Sequence, residues 1–240
     1  MYIFTKIGEA NNKNMGDIMK KKNNKFAEGL CFAKLFIFFI VGCIFGTYYE
    51  EILHFVNYRE WSSRQGLLIG PFNPIYGIPA VILLIFLTRG NAKRSIIKTY
   101  IYSAIISGIA EFLISFFGEH LFGVKFWDYT GYLLNINGRT TLPFMLFWGV
   151  LGVILLKFLY PYLSKWIEKV PYKIAQPVYT FALVFIFFDL ALTYSVFGRM
   201  ALRNSGKEPI SFVGEYYDKV FTNEYMAEKF PAMKNVNNEI

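Results

Sequence analysis

Cysteine is nearly missing from this chain, with two in 240 residues, and both, Cys31 and Cys43, fall on one apolar stretch. Twelve residues of helix would place them about 18 Å apart, too far for a disulfide, and no metal-ligand spacing is present. Histidine is equally scarce, at His54 and His120. There is no G-x-x-x-x-G-K-[ST] loop, which excludes a self-contained nucleotide-driven motor, and nothing points to a bound cofactor. No small-x-small site follows the first apolar stretch, so a cleavable signal peptide is not expected. Charged residues make up 18% of the chain, with a net charge of +8. The basic residues fall between apolar stretches instead of on one face with interleaved aromatics, which excludes a nucleic-acid-binding surface.

What is abundant is apolar surface: 55% of the residues are hydrophobic and 20% aromatic, and the mean hydropathy is +0.35. Soluble domains hold about 45–50% apolar residues, so this is an integral membrane protein. Five segments approach the roughly 20 residues a membrane-crossing helix needs: Leu30 to Tyr49, Pro74 to Thr88, Thr99 to Gly118, Thr141 to Tyr160, and Pro177 to Phe197. The expected fold is an all-α, polytopic membrane helical bundle of about five transmembrane helices. It divides into a polar, disordered cytoplasmic segment at 1–29, the bundle at 30–198, and an amphipathic C-terminal tail at 199–240.

Lysine and arginine set the expected orientation. Lys6, Lys13, Lys20, Lys21, Lys22, Lys25 and Lys34 cluster at the first span, while the second and fourth loops carry Arg89, Lys93, Arg94, Lys98 and Lys157, Lys165, Lys169, Lys173. The first and third loops hold only Arg59, Arg64, Lys125 and Arg139. Because Lys- and Arg-rich short loops stay cytoplasmic, the N-terminus is expected inside and the first and third loops outside. Five spans then put the tail outside, although its own basic residues run against that count.

The run from Arg64 to Gly77 has three glycines and two prolines where the second span should begin. Regular helix is not expected there, and irregular backbone at membrane depth must be buried in protein or line a polar cavity. A broken or re-entrant segment is therefore expected, with Asn73 and Tyr76 facing inward. On the first span, Gly42 and Gly46 have small-xxx-small spacing that suits a close helix crossing. On the third, Ser103, Ser107, Glu111, Ser115 and Glu119 recur every four residues and form one polar stripe. A carboxyl inside a span is costly and by default marks a site, which singles out Glu111 and, on the fifth span, Asp189. At the outer level the same reading gathers Glu50, Arg64, Glu119, Asp128, Asn135, Asn137 and Arg139 around a vestibule. Asn137-Gly138 signals a turn. A metal alternative would recruit Glu50, His54, Glu119 and His120, whose spacing is loose for that purpose. In the tail, Val213, Tyr217, Phe221 and Tyr225 recur every four residues, as in an amphipathic helix lying on the membrane or capping the bundle.

Several blocks together resemble one family of bacterial membrane proteins, the CmpB-like or type IV group of ABC-transporter permeases. They are Gly46-x-x-x-Glu50, Arg64-x-Gly66-x-x-x-Gly70-Pro71-x-x-Pro74-Ile75-Tyr76-Gly77, Glu111, Glu119, Phe126-Trp127-Asp128-Tyr129, Asn135-x-Asn137-Gly138-Arg139, and Trp148-Gly149. The likeness runs over about residues 40 to 235, with Gln65 and Asn73 departing from the Asn and Cys expected there. It implies a bacterial plasma-membrane protein, a transport role and a separate cytoplasmic ATPase subunit. Five spans are few for a complete route, so a homo-oligomer is expected as well.

Three functions compete at this point. In a permease-type subunit, Glu111 and Asp189 would line the route and the outer charged groups would form its mouth. In a membrane-embedded enzyme acting on a lipid-linked or phosphorylated substrate, Arg64 and Arg139 would clamp an anion. Glu111, Glu119 or Asp128 would then be its general acid or base. In a scaffold the polar cluster would only satisfy itself.

Overall fold

The computed structural model describes residues 26–88 and 94–235. The lysine-rich lead-in through Lys25 and the loop residues Arg89 and Lys93 lie outside the described residues. Every apolar segment forms helix: α1 Phe32–Tyr58, α2 Pro74–Thr88, α3 Ile96–Phe122, α4 Leu142–Val153 and α6 Tyr172–Asn204. α4 continues through a π-helical turn, Ile154–Leu159, into α5, Tyr160–Ile167. Pro161, which has no N–H to give, stands just after that widened turn. Four of these units, counting α4 to α5 as one, are long and apolar enough to cross a membrane. α2, at 15 residues, spans only about 22 Å at 1.5 Å per residue, short of a hydrocarbon core of about 30 Å.

The irregular run before α2 makes up that length, and its polar backbone groups are satisfied by protein. Gly66 and Leu67 N–H donate to the Phe72 carbonyl at 2.8 and 3.0 Å, closing a tight loop in which Gly70 adopts φ +76°. Leu68 N–H donates to Thr193 Oγ1 at 3.0 Å and Ile69 N–H to Asp189 Oδ1 at 3.1 Å, both on α6. Leu67 and Leu68 are buried. Such backbone is tolerated at membrane depth only when enclosed this way.

α3 shows how a four-residue rhythm sorts a bundle. Thr99, Ser103, Ser107, Glu111 and Ser115 are buried, whereas Ile97, Ile101, Ile105, Ile109, Leu113 and Phe117 are exposed. The exposed stripe suits hydrocarbon as its solvent; the buried stripe meets α4, where Gly149 and Gly152 let Tyr100 and Ser103 approach. The α1 glycines do the same for α2. A Cβ on Gly46 would lie 2.0 Å from Tyr76 Cγ, and one on Gly42 would lie 3.1 Å from Gly77 Cα.

At the opposite end from the re-entrant loop, Lys34 is fully buried inside α1 and pairs with Glu168 beyond α5 while also donating to Ser164. That ammonium holds the Glu168 carboxyl below its usual range. Lys157 of the π-helical turn donates to the Arg94 carbonyl at 2.5 Å.

After α6 the chain returns as two short helices, α7 Phe212–Val220 and α8 Asn223–Lys229, capped by Ser211 and Thr222. Arg199 and Arg203 of α6 both pair with Asp218, and burial of Met226 and Phe230 against Val196, Phe197 and Met200 completes the docking. A last strand, β4 Lys234–Asn235, pairs antiparallel with β1 Val124–Lys125. A small hairpin of β2 Asn135–Ile136 and β3 Thr140–Thr141 precedes α4.

Candidate functional site

One polar cavity of about 120 Å³ lies where the re-entrant loop, α1, α2, α3 and α4 converge. α1 contributes Glu50, the loop Ser63, Arg64 and Asn73, α2 Tyr76, α3 Glu111, and α4 Trp148. The loop after α3 adds Trp127 and Tyr129, and the tail adds Phe230 and Met233.

Glu111 is 5% exposed and has three side-chain donors. Thr140 Oγ1 donates to Oε2 at 2.7 Å, and Tyr129 OH and Trp148 Nε1 donate to Oε1 at 3.2 and 3.3 Å. No ion pair involving it occurs among the described residues. Held by these three donors, the carboxyl ties the α3–β1 end of the bundle to β3 and α4 and forms part of the cavity wall. Burial pushes the Tyr129 phenol above its ordinary range, and the nearby Glu111 carboxyl adds to that. Tyr129 therefore serves as a hydrogen-bond donor at any physiological pH.

Glu50 is less committed. Its Oε2 accepts one hydrogen bond, from Tyr76 OH at 3.1 Å, and the Tyr76 ring leans on Trp148 at 5.5 Å between centroids. Arg64 faces the same cavity. Its backbone is pinned on both sides, N–H to Glu51 Oε1 at 3.3 Å and carbonyl to Asn73 Nδ2 at 2.8 Å. Its guanidinium makes no ion pair among the described residues; Arg64 Nε and Ser63 Oγ are both buried without a hydrogen-bond partner.

The other residues singled out from the sequence have different neighbours. Asn73 lines the cavity, but both ends of its amide are engaged: Nδ2 on the Arg64 carbonyl and Oδ1 on Ile75 N–H. Arg139 pairs with Glu119 at 2.6 Å, lies over the Phe112 and Phe116 rings, and reaches Ser115. Asp128 accepts from Thr130 N–H and Oγ1, Asn135 accepts from Gly138 N–H, and Asn137 takes a left-handed φ of 52°. Those three shape the loop that carries Tyr129. Asp189 is fully buried on α6 and holds the re-entrant loop through Ile69, with Thr193 donating to the same oxygen and its second oxygen unpartnered. His54 bonds the Glu60 carbonyl and His120 the Phe116 carbonyl. Among the described residues no group of three or more His, Cys, Asp or Glu gathers as a metal site.

Ser63, Thr140 and Thr193 were not singled out by sequence reasoning for this site. None stands in a motif or periodic stripe that touches it. Trp148 and Tyr129 were visible only as part of the blocks shared with the resembled family.

A family model described as Putative ABC-transporter type IV matches residues 37–194. That span covers α1 to α6 through Asp189 and ends before the docked tail. No curated protein and no solved structure matches the chain.

Proposed function

The chain belongs to the ABC-transporter type IV family, and on that premise we propose that it is the permease-type subunit of a transporter, with the Glu50–Arg64–Glu111 cavity as a vestibule on its route. It is a multi-pass, transporter-related membrane protein; the finer reading adds a bacterial plasma-membrane location, a cytoplasmic N-terminus and a cavity that opens outward. The observation that carries it is the guanidinium of Arg64. A polar group buried without a partner is costly, and this guanidinium meets a cavity with its Nε buried and no ion-pair partner among the described residues.

A permease of this kind needs an ATPase that the chain does not encode, and oligomerisation would supply further helices to the route. Purification in mild detergent should retain an ATPase subunit. Arg64→Gln should abolish uptake or efflux while the protein elutes as a folded species; a stoichiometric preparation devoid of any ATPase would sink the permease reading. A cysteine at the exposed Asn137 should react with an impermeant maleimide in whole cells, and reaction only after lysis would reverse the orientation.

The enzyme alternative is favoured less, because its two-arginine clamp has one jaw closed: Arg139 already pairs with Glu119. Turnover of a lipid-linked phosphate by the purified protein alone would revive it.

A further inference from the structure

We infer that the cavity takes a small zwitterion, an ammonium and an oxyanion on one short scaffold, with the oxyanion on Arg64 and Ser63 and the ammonium between Glu50 and the aromatic wall. This names the ligand class of the vestibule and rests on the reading of that cavity as a binding site.

Opposite charges in a low-dielectric site attract strongly, yet Glu50 and Arg64 line one cavity and do not pair. Each is restrained on its own side. Tyr76 OH tethers the carboxylate, and the two backbone bonds to Glu51 and Asn73 fix where the guanidinium starts. A cation and an anion held apart across a cavity form a receptor for a dipole of the opposite sense. A lone anion would satisfy Arg64 and sit against Glu50; a lone cation would do the reverse, and each leaves one charge desolvated and unpaired.

The lining sorts the two ends. In the lining, Arg64 Nε and Ser63 Oγ are buried and have no hydrogen-bond partner among the described residues, and a guanidinium beside a hydroxyl suits a carboxylate or phosphate oxygen pair. Tyr76 and Trp148 stand on the Glu50 side, and aromatic faces next to a carboxylate suit an ammonium, including a fully alkylated one. Glu111 is already held by three side-chain donors and contributes chiefly to the shape of the cavity. At about 120 Å³ the cavity is smaller than the roughly 300–1,000 Å³ of pockets for drug-sized ligands, which favours a small solute over a nucleotide or a peptide.

Two sources share this chemistry: a free solute, and the headgroup of a zwitterionic phospholipid. The second has somewhere to put its chain, because an apolar cavity of about 290 Å³ shares Tyr76 and Trp148 with the polar one.

The test is calorimetric titration of the purified full chain with glycine betaine, tetramethylammonium and acetate. Glycine betaine should bind at least tenfold more tightly than either half; equal binding of all three, or none, overturns the proposal without any variant. Arg64→Gln should weaken betaine at least tenfold and leave tetramethylammonium unchanged, Glu50→Gln should weaken both, and Arg139→Gln neither. A folded Arg64→Gln protein with unchanged betaine affinity also overturns it. Repeating the titration in nanodiscs separates the sources. Binding lost when phosphatidylcholine is added to phosphatidylglycerol assigns the headgroup, binding retained assigns the solute, and both uphold the zwitterion. Failure of the permease reading would appear in the ATPase co-purification, which these titrations do not involve.

Discussion

Arg139 and Arg64 each stand in the loop that follows a helix bearing a glutamate near its C-terminal end, Glu119 on α3 and Glu50 on α1. Arg139 collapses onto its glutamate, sandwiched with the Phe112 and Phe116 rings and within reach of Ser115. Arg64 does not. The rings and the hydroxyl give Arg139 a second and third reason to stay where it is, whereas Arg64 emerges from a loop pinned by Glu51 and Asn73 and faces a cavity whose glutamate is tethered on one oxygen by Tyr76. Two pairs alike in composition thus divide into one that holds the fold and one that is open to a ligand.

The largest effect should come from the cavity wall at Glu111. Glu111→Ala leaves Tyr129, Thr140 and Trp148 with buried donors unmet, and at about 1 kcal/mol or more each the loss is on the order of 3 kcal/mol in a denaturant titration in detergent. Glu111→Gln, which keeps an acceptor, should cost clearly less; equal losses would mean that the three hydrogen bonds contribute little. Next comes the α1–α2 crossing. Gly46→Ala puts a methyl 2.0 Å from Tyr76 Cγ, so an overpacking penalty of about 1–3 kcal/mol is expected, together with displacement of Tyr76 from Glu50.

The comparison itself is sharpened by a double-mutant cycle. Arg139→Gln should destabilise by about 1–2 kcal/mol, between the values of surface and buried pairs, and adding Glu119→Gln should cost little more. Arg64→Gln should change stability by less than about 0.5 kcal/mol. If both arginines proved equally costly, the division between them would be gone. The smallest effect concerns the tail. Arg199, with Arg203 beside it, holds the Asp218 carboxyl below its usual range, so the docking it supports is complete above the ordinary aspartate value of about 4. It is lost as pH falls through the lower folded value. A nitroxide on a cysteine replacing the exposed Tyr216 should keep its mobility from pH 7 to 5 and gain mobility only in stronger acid.

Sequence patterning carried the fold a long way because lipid imposes simple rules. The five apolar segments are all helix, the four-residue stripe on α3 does place Ser103, Ser107, Glu111 and Ser115 inside, and the run before α2 is indeed irregular. What patterning could not reach was partnership. Nothing local distinguishes Arg139 from Arg64, because the rings beneath the former belong to another segment. Lys34 looks like a loop charge in sequence, yet the helix starts at Phe32 and Ser164 and Glu168 meet the ammonium from the far end of the α4–α5 unit. The tail stripe was half legible: Tyr217 and Phe221 pack inward and Val213, in the first turn of α7, is exposed, but Thr222 starts a new helix and resets the register, so Tyr225 is 38% exposed while Met226 and Phe230 are buried. Asp189 reads as an isolated acid at membrane depth because the loop it holds lies 120 residues earlier.

The tail's place in the cavity wall sets an order of assembly. Glu111, Tyr129, Thr140 and Trp148 leave the ribosome close together and can close on one another early. Glu50 and Met233 line the same cavity, and at about 5–20 residues per second the second follows the first by roughly 10 to 40 s. Throughout that interval α1 and the re-entrant loop must reside in the membrane with the cavity unsealed, so the nascent protein passes through a stage in which Arg64 and Glu50 are open to the surrounding lipid and water.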